Sequence, residues 1–205
     1  MKIRSGMKIL FQGDSITDAG SAYDSGVLGD GYVRMVTEQF SAWHPEVKAT
    51  FLNRGVSGDR IRDLRDRWQV DCLDLKPDVV SILVGVNDVL GTFFWGDFTS
   101  LESFEADYAS ILELTRKNLD AQIILLEPFL LPVSNDLDAL RSDLDSRIRI
   151  VRKLSNKFRT ELVCLDSIFS KAGKREKPEF WSLDGVHPTA AGHGLIARSW
   201  LDSVE

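Results

Sequence analysis

A serine that follows directly on a short apolar run is the first residue of this chain whose position suits chemistry. The run Lys8–Gln12 predicts a buried strand, and the chain then breaks into Gly13, Asp14 and Ser15. In an open parallel sheet, ligands and reactive groups collect just outside the carboxyl ends of the strands, so the Ser15 hydroxyl is a candidate nucleophile. These three residue types are also common in turns, and the tripeptide by itself is better explained as an ordinary turn.

The histidines are the next candidates, because a serine hydroxyl is a weak nucleophile until a base takes its proton. His187 follows Asp184 by three residues, and side chains at that spacing on a turn or a helix start lie about 5–6 Å apart at Cβ. Asp184 could therefore hold one imidazole nitrogen while the other faces Ser15. His44 ends a helical pattern, where a solvated loop residue is expected. His193 lies within the last predicted helix and could face either way.

Acyl transfer also needs hydrogen-bond donors aimed at the developing oxyanion. Gly55 follows the second predicted strand, where a glycine lets a backbone N–H approach a ligand closely. Asn87 follows the third predicted strand and can offer its side-chain amide. Each of these residues, taken singly, is also what an ordinary strand end uses.

These candidates are positioned by alternating strand and helix patterns. Apolar residues recur every three or four positions in the segments between the predicted strands, which predicts helices. The pattern predicts a three-layer α/β/α sandwich with a five-stranded parallel sheet, of doubly wound, flavodoxin-like type, in a single domain over residues 1–205. The predicted strands are Lys8–Gln12, Ala49–Asn53, Val79–Val84, Gln122–Glu127 and Glu161–Leu165.

Composition excludes few functions. The 205 residues carry 25 basic and 31 acidic side chains, a net charge of −6, which argues against nucleic acid and anionic membranes as partners. No apolar h-region precedes the first strand and no apolar run is long enough to span a membrane, so we expect a cytoplasmic protein. Cys72 and Cys164 form no CxxC or zinc-like spacing; we expect two core residues and no metal site.

Two segments between elements are unusually apolar and leave the carboxyl edge of the predicted sheet. Residues 90–99 hold four aromatic side chains, and residues 128–136 hold the apolar run Phe-Leu-Leu between two prolines. Each is expected to form either a binding pocket or a protein contact. Glu127, at the end of the fourth predicted strand, is either a substrate contact or a solvated carboxylate.

Taken together, four short blocks of the sequence resemble the SGNH hydrolases, also called GDSL esterases and lipases. They occur in the order of that family, each after the element on which the family carries it, and they span nearly the whole chain. The blocks are Gly13-Asp14-Ser15-Ile16-Thr17, Gly55, Gly85-Val86-Asn87-Asp88 and Asp184-Gly185-Val186-His187.

This resemblance implies roles for five residues. Ser15 would be the nucleophile, His187 the general acid–base and Asp184 the residue that orients it. The backbone N–H groups of Ser15 and Gly55, with the Asn87 side chain, would form the oxyanion hole. The family's chemistry needs no metal and no organic cofactor.

A narrower resemblance is to small intracellular acetylxylan esterases of the same superfamily. It rests on Gly13–Gly31, Asn53–Leu64 and Val186–Ala197, and implies removal of acetyl groups from xylo-oligosaccharides and a homo-oligomer. Substrate-binding residues are then expected at Asp14, Trp95 and Trp181, although the two tryptophans equally fit core or subunit-interface packing.

Other substrates and another class of protein remain open at this point. An arylesterase, a thioesterase or a lysophospholipase would use the same residues. A non-catalytic small-molecule-binding module would leave Asp184 and His187 without a purpose, and the chain lacks G-x-G-x-x-G and a Walker A lysine.

Overall fold

Strands and helices alternate along the chain in a computed structural model that describes residues 2–21, 26–134 and 137–204. The strands are β1 Lys8–Gly13, β2 Thr50–Gly55, β3 Val79–Leu83, β4 Gln122–Leu126 and β5 Glu161–Val163. The helices are α1 Ser15–Asp18, α2 Tyr32–Trp43, α3 Ile61–Trp68, α4 Val86–Phe94, α5 Leu101–Asn118, α6 Asp138–Phe158, α7 Leu165–Ala172, α8 Pro178–Trp181 and α9 Ala190–Leu201. None of the helices described is both long and apolar enough to cross a membrane.

All neighbouring strands of the sheet are parallel, and their order is β2-β1-β3-β4-β5. This confirms the predicted five-stranded parallel sheet of a flavodoxin-like, doubly wound domain. From β1 the chain continues to β2, which lies on one side of β1. From β2 it crosses over β1 to β3, which lies on the other side. The carboxyl end of β1 therefore lies at the switch point where such sheets bind ligands.

Both faces of the sheet are covered, which explains why the strands read as continuous apolar runs. Along β3, Val79 and Leu83 belong to one buried cluster, whereas Val80 and Ile82 belong to the other. The first cluster includes side chains of α2, α7 and α9, and the second includes those of α3 and α5. Helix α6 contributes to both clusters.

All five strands lie within two residues of their predicted bounds, and two differences from the sequence prediction introduce a helix. The fifth strand ends at Val163, because Leu165 already begins α7, a helix that the apolar pattern did not reveal. Residues 90–94 are not a loop but the second half of α4. Leu165 is buried by other elements, whereas Phe93 and Phe94 are exposed on α4. In neither place does the local spacing of apolar residues separate strand, loop and helix.

The two cysteines lie at different depths. Cys72 is buried beside α3 and α5 as predicted, and burial raises its thiol pKa to about 12. Cys164 is only partly buried, at the residue that precedes α7, so the prediction of a core position is wrong for it.

Candidate active site

The candidate nucleophile lies at the start of a very short helix. Strand β1 ends at Gly13 and α1 begins at Ser15, with Asp14 as its N-cap: Oδ1 of Asp14 accepts a hydrogen bond from the N–H of Ile16 at 3.0 Å. Ser15 is the first residue of the helix, so the helix itself supplies no acceptor for its backbone N–H. A donor of this kind suits a negatively charged oxygen next to the serine.

Ser15, His187 and Asp184 form a hydrogen-bonded series across the fold. Oγ of Ser15 lies 3.0 Å from Nε2 of His187, and Nδ1 of the same ring lies 2.6 Å from Oδ2 of Asp184. The structure thus brings together residues that are 172 positions apart in the chain. A base within hydrogen-bond reach of a hydroxyl, itself oriented by a carboxylate, is the geometry of an activated serine.

The turn that carries Asp184 holds its carboxylate in the charged form. Oδ1 accepts hydrogen bonds from the backbone N–H groups of Val186 (2.9 Å) and His187 (2.7 Å). Burial raises the pKa of Asp184, but the hydrogen bonds from the His187 ring and from these two N–H groups outweigh it and lower the pKa to about 2. Oγ of the buried Ser182 lies 2.8 Å from the carbonyl of His187 and 3.2 Å from Oδ1 of Asp184, so it ties both ends of the turn together.

Asn87 is well placed to keep one amide hydrogen for a ligand. Gly85 has a φ of 130°, which favours glycine, and α4 begins directly after it. The Asn87 side chain is buried, and its Nδ2 donates to the backbone carbonyl of Asp59 at 3.1 Å. That bond uses one of the two hydrogens on Nδ2 and leaves the other for an oxyanion.

The N–H of Gly55, the third predicted oxyanion donor, already has a partner in this structure. It donates to Oδ1 of Asn53 at 2.9 Å, and Nδ2 of Asn53 donates in turn to the carbonyl of Thr17 at 2.7 Å. The predicted role of Gly55 therefore requires this hydrogen bond to be shared or broken. What the geometry does show is a packing role, because a Cβ at Gly55 would lie 2.3 Å from the backbone nitrogen of Asp18.

The burial of Asp14 corrects its interpretation as a substrate-binding residue. Its side chain is 1% exposed and acts as the cap of α1. Burial raises the pKa of Asp14 to about 7, against the opposing effects of the Ile16 N–H and the charge of His187. A carboxylate enclosed in this way supports the nucleophile turn and is not exposed to a substrate.

The two tryptophans predicted to meet substrate have different surroundings. Trp95 is 58% exposed at the end of α4, and three phenylalanines of the same segment are exposed with it: Phe93, Phe94 and Phe98. Trp181 is partly buried against the first cluster, with Phe180 edge-on to it at 4.9 Å. Trp95 is therefore free of the core, whereas Trp181 is partly a packing residue.

The segment after β4 does not form an open pocket beside Ser15. Phe129 is buried and stacks on Phe169 of α7, with the two ring centroids 4.2 Å apart. The N–H of Leu131 donates to the carbonyl of Gly185 at 2.9 Å. Leu130 and Leu131 line a cavity of about 280 Å³ between this segment and α7. These apolar residues thus support the turn of Asp184 and His187 from behind. Residues 135–136, the end of this segment, lie outside the described residues.

Glu127 is completely buried and paired with an arginine, so it is neither a solvated carboxylate nor an accessible substrate contact, and both sequence interpretations of it are wrong. Its side chain is fully buried, and Oε1 accepts a hydrogen bond from Nε of Arg152 at 2.5 Å. The partner lies on α6, and no local spacing indicates that a distant arginine reaches this strand end.

Sequence reasoning did not single out His193 as a structural residue. Nδ1 of its ring accepts a hydrogen bond from the backbone N–H of Tyr32 at 3.1 Å and thereby caps α2, whose own N-cap is Gly31. A helix that begins after a glycine, without a side-chain cap of its own, was the available signal. His44 ends α2 and is partly exposed, as expected.

Within residues 2–21, 26–134 and 137–204, no three or more His, Cys, Asp or Glu side chains are arranged to hold a metal ion.

Known proteins are similar to this chain in sequence and in fold over nearly its full length. The profile of the GDSL-like lipase/acylhydrolase family matches residues 11–195. An acetylxylan esterase from Geobacillus stearothermophilus is 37% identical over 213 residues, which cover 100% of this chain and 96% of that protein. A crystal structure of an acetylxylan esterase from Geobacillus stearothermophilus superposes with a TM-score of 0.91 at 36% identity, covering 99% and 96% of the two chains. A protein from Parabacteroides merdae, assigned as a GDSL-like lipase, superposes with a TM-score of 0.94 at 36% identity, covering 98% and 97%.

Proposed function

The chain belongs to the GDSL-like lipase/acylhydrolase family and is a carboxylic ester hydrolase, and from this premise we propose that it is a serine esterase that deacetylates acetylated xylo-oligosaccharides. The observation that carries the catalytic assignment is the series from Oγ of Ser15 through His187 to Asp184, at 3.0 Å and 2.6 Å. The substrate assignment is supported by full-length similarity to an acetylxylan esterase.

The proposed reaction has two steps. His187 takes the proton of Ser15 as Oγ attacks the acetyl carbonyl, and the oxyanion is stabilised by the Ser15 N–H and the Asn87 amide. The sugar hydroxyl leaves with the proton from His187. Water, activated by the same ring, then attacks the acetyl-serine; acetate leaves and Ser15 recovers its proton.

The openness of the site supports a small acyl group on a large alcohol. The side chains of His187 and Asp184 are 57% and 54% exposed, so a bulky alcohol can approach the ring. A long acyl chain would need an apolar channel beside Ser15, whereas the apolar residues after β4 are packed against α7. The exposed Trp95 offers an aromatic face of the kind that stacks on sugar rings.

The test measures the activated serine first and the substrate second. A fluorophosphonate should add once to the wild type, at Ser15, and not to Ser15→Ala. The same variant should lower acetate release from acetylated xylo-oligosaccharides by at least about 10⁴-fold, because the nucleophile is lost. Ser146→Ala, which removes a partly exposed serine hydroxyl on α6, is the matched control and should change neither result.

Two outcomes would contradict different parts of the proposal. A folded wild type that takes no adduct would rule out Ser15 as an activated nucleophile. An adduct at Ser15 together with faster hydrolysis of octanoyl than of acetyl esters would keep the nucleophile and reject the deacetylase.

A further inference from the structure

The guanidinium of Arg67 lies directly beneath the candidate active site, and the proposed reaction does not use it. Arg67 is on α3, and its side chain is 18% exposed. Nη1 donates to Oε1 of Gln12 at 2.9 Å and to Oδ2 of Asp71 at 3.2 Å. A planar group with several fixed donors can hold separate pieces of chain in one geometry, which a lysine cannot.

One donor of Arg67 reaches the turn of the nucleophile. Nη2 lies 3.4 Å from the carbonyl oxygen of Gly13, two residues before Ser15. The same oxygen accepts a hydrogen bond from the N–H of Val56 at 3.0 Å. The end of β1 is therefore held from two sides, by the loop after β2 and by α3.

A second donor of Arg67 reaches the residue that holds the oxyanion amide. Nε donates to Oδ2 of Asp59 at 2.7 Å, and the backbone carbonyl of Asp59 accepts the hydrogen bond from Nδ2 of Asn87 at 3.1 Å. Burial raises the pKa of Asp59, and the charge and hydrogen bond of Arg67 act against that rise. Asp59 thus depends on Arg67 for a partner of its charge, and Asn87 depends on Asp59 for its orientation.

We propose that Arg67 is a positioning residue that sets the separation between the Ser15 hydroxyl and the Asn87 amide. Arg67 touches neither the ester nor the reacting atoms. It acts through Gly13 on one side and through Asp59 on the other. Because a misplacement of about 1 Å can cost a catalytic site about 10²-fold in rate, a shared anchor for both groups has a direct effect on turnover. The inference rests on the oxyanion role given to Asn87 above.

A purely structural role would predict a different pattern of effects. Arg141 offers the comparison, because its guanidinium donates to both oxygens of Asp166 at 2.7 Å and 2.6 Å, on elements that carry none of the catalytic residues. Loss of either arginine should lower stability. Only the loss of Arg67 should lower turnover in addition.

The experiment is a double-mutant cycle between Arg67 and Asn87. Arg67→Met keeps the length of the side chain and removes its donors. It should lower kcat on p-nitrophenyl acetate by about 10- to 100-fold, with KM changed by less than about threefold. Asn87→Ala should lower kcat by about 10²–10³-fold. In the Asn87→Ala background the further effect of Arg67→Met should fall below about threefold, because the amide that Arg67 positions is already gone.

Control variants keep the test decisive. Arg141→Met should lower the melting temperature and leave kcat unchanged. If Arg67→Met does not fold, Arg67→Lys takes its place in the cycle, since it keeps the charge but cannot reach Gly13 and Asp59 together. The rate of fluorophosphonate labelling, a second readout of the same geometry, should follow kcat.

The opposing results are distinct. A folded Arg67 variant with wild-type kcat, or with the same loss in both backgrounds, would overturn the positioning role and leave the esterase intact. A fully active Asn87→Ala would overturn the oxyanion assignment and this inference with it. Failure of Ser15 to take an adduct would instead overturn the proposed function itself.

Discussion

Two titratable side chains near the catalytic residues, Asp14 and His193, have pKa values that burial moves in opposite directions. Burial disfavours the charged form of each, so the pKa of Asp14 rises to about 7 and that of His193 falls to about 4. The charge of His187 opposes the rise of the Asp14 pKa and adds to the fall of the His193 pKa. Each residue also caps a helix, Asp14 at α1 and His193 at α2, and Nδ1 of His193 can accept the Tyr32 N–H only while it carries no proton. Protonation of His193 therefore removes its cap on α2.

Replacement of His193 should change how stability depends on pH. Its folded pKa of about 4 lies below the ordinary histidine pKa of 6.5, so the unfolded chain binds more protons between these values. Stability is then complete above pH 6.5 and is lost as the pH falls toward 4. In His193→Gln, the loss of unfolding free energy between pH 7 and pH 4.5 should shrink by about 1–3 kcal/mol in urea titrations. His44→Gln, at a more exposed ring, is the control. An unchanged pH dependence in His193→Gln would contradict the assignment.

At the scale of elements, the nucleophile depends on a helix that cannot be stable alone. Helix α1 has four residues, fewer than an isolated helix needs. It is held by β2, because Asn53 donates to the carbonyl of Thr17 and Gly55 lets the strand approach the helix backbone. The position of Ser15 is therefore a property of the contact between β2 and α1.

Gly55→Ala tests that contact without removing any hydrogen-bond donor. The new Cβ would lie 2.3 Å from the nitrogen of Asp18, and backbone cannot yield as a side chain does. The variant should lose about 2–3 kcal/mol of unfolding free energy. Its kcat should fall by about 10- to 100-fold as α1 shifts, although the N–H of residue 55 is kept.

Gly194→Ala on α9 is the matched control. Apart from its chain neighbours and the backbone of its own helix, no atom lies within 4 Å of the new Cβ, so the substitution should add about 0.5–1 kcal/mol of stability and leave kcat unchanged. A Gly55→Ala enzyme with wild-type stability and rate would show that the contact between β2 and α1 does not hold the nucleophile.

At the scale of the whole molecule, the sheet carries one fully buried tryptophan on each face. Nε1 of Trp200 donates to Oγ of Ser81 at 3.0 Å, and its ring lies 5.2 Å from that of Phe11 on the nucleophile strand. On the other face, Nε1 of Trp68 donates to Oγ1 of Thr115 at 3.1 Å. The Trp200 hydrogen bond joins α9 to the sheet whose edge carries the site, whereas the Trp68 hydrogen bond joins α3 to α5.

The two tryptophans should differ in the cost of their loss. Trp200→Phe leaves Ser81 without the partner described for it, whereas after Trp68→Phe the Thr115 hydroxyl still donates to the carbonyl of Ile111 at 2.7 Å. Trp200→Phe should therefore cost about 1–3 kcal/mol of unfolding free energy, and about 1 kcal/mol more than Trp68→Phe. Addition of Ser81→Ala to Trp200→Phe should recover part of that difference in urea unfolding. Equal losses of unfolding free energy for the two tryptophan variants would refute the argument.

A homo-oligomer and a cytoplasmic location stay predictions.

The sequence by itself determined the features that depend only on residues close together in the chain. Apolar runs bounded by turns predicted all five strands, and the spacing of Asp184 and His187 predicted their contact, because three-residue spacing brings side chains together in any tight turn. The motifs around Ser15 and Asn87 indicated a hydrolase, and the family match confirms it.

The tertiary structure alone decided what depends on distant neighbours. Asp14 and Glu127 are buried by remote elements, and the Gly55 N–H donates to Asn53. Arg67 contacts both Gly13 and Asp59. Periodicity does not reveal such partners, because burial and charge pairing depend on which remote element covers a residue. The strand order that puts the end of β1 between β2 and β3 is likewise set by packing of the whole chain. This order is the reason that Ser15, Gly55 and Asn87 lie at the same edge of the sheet.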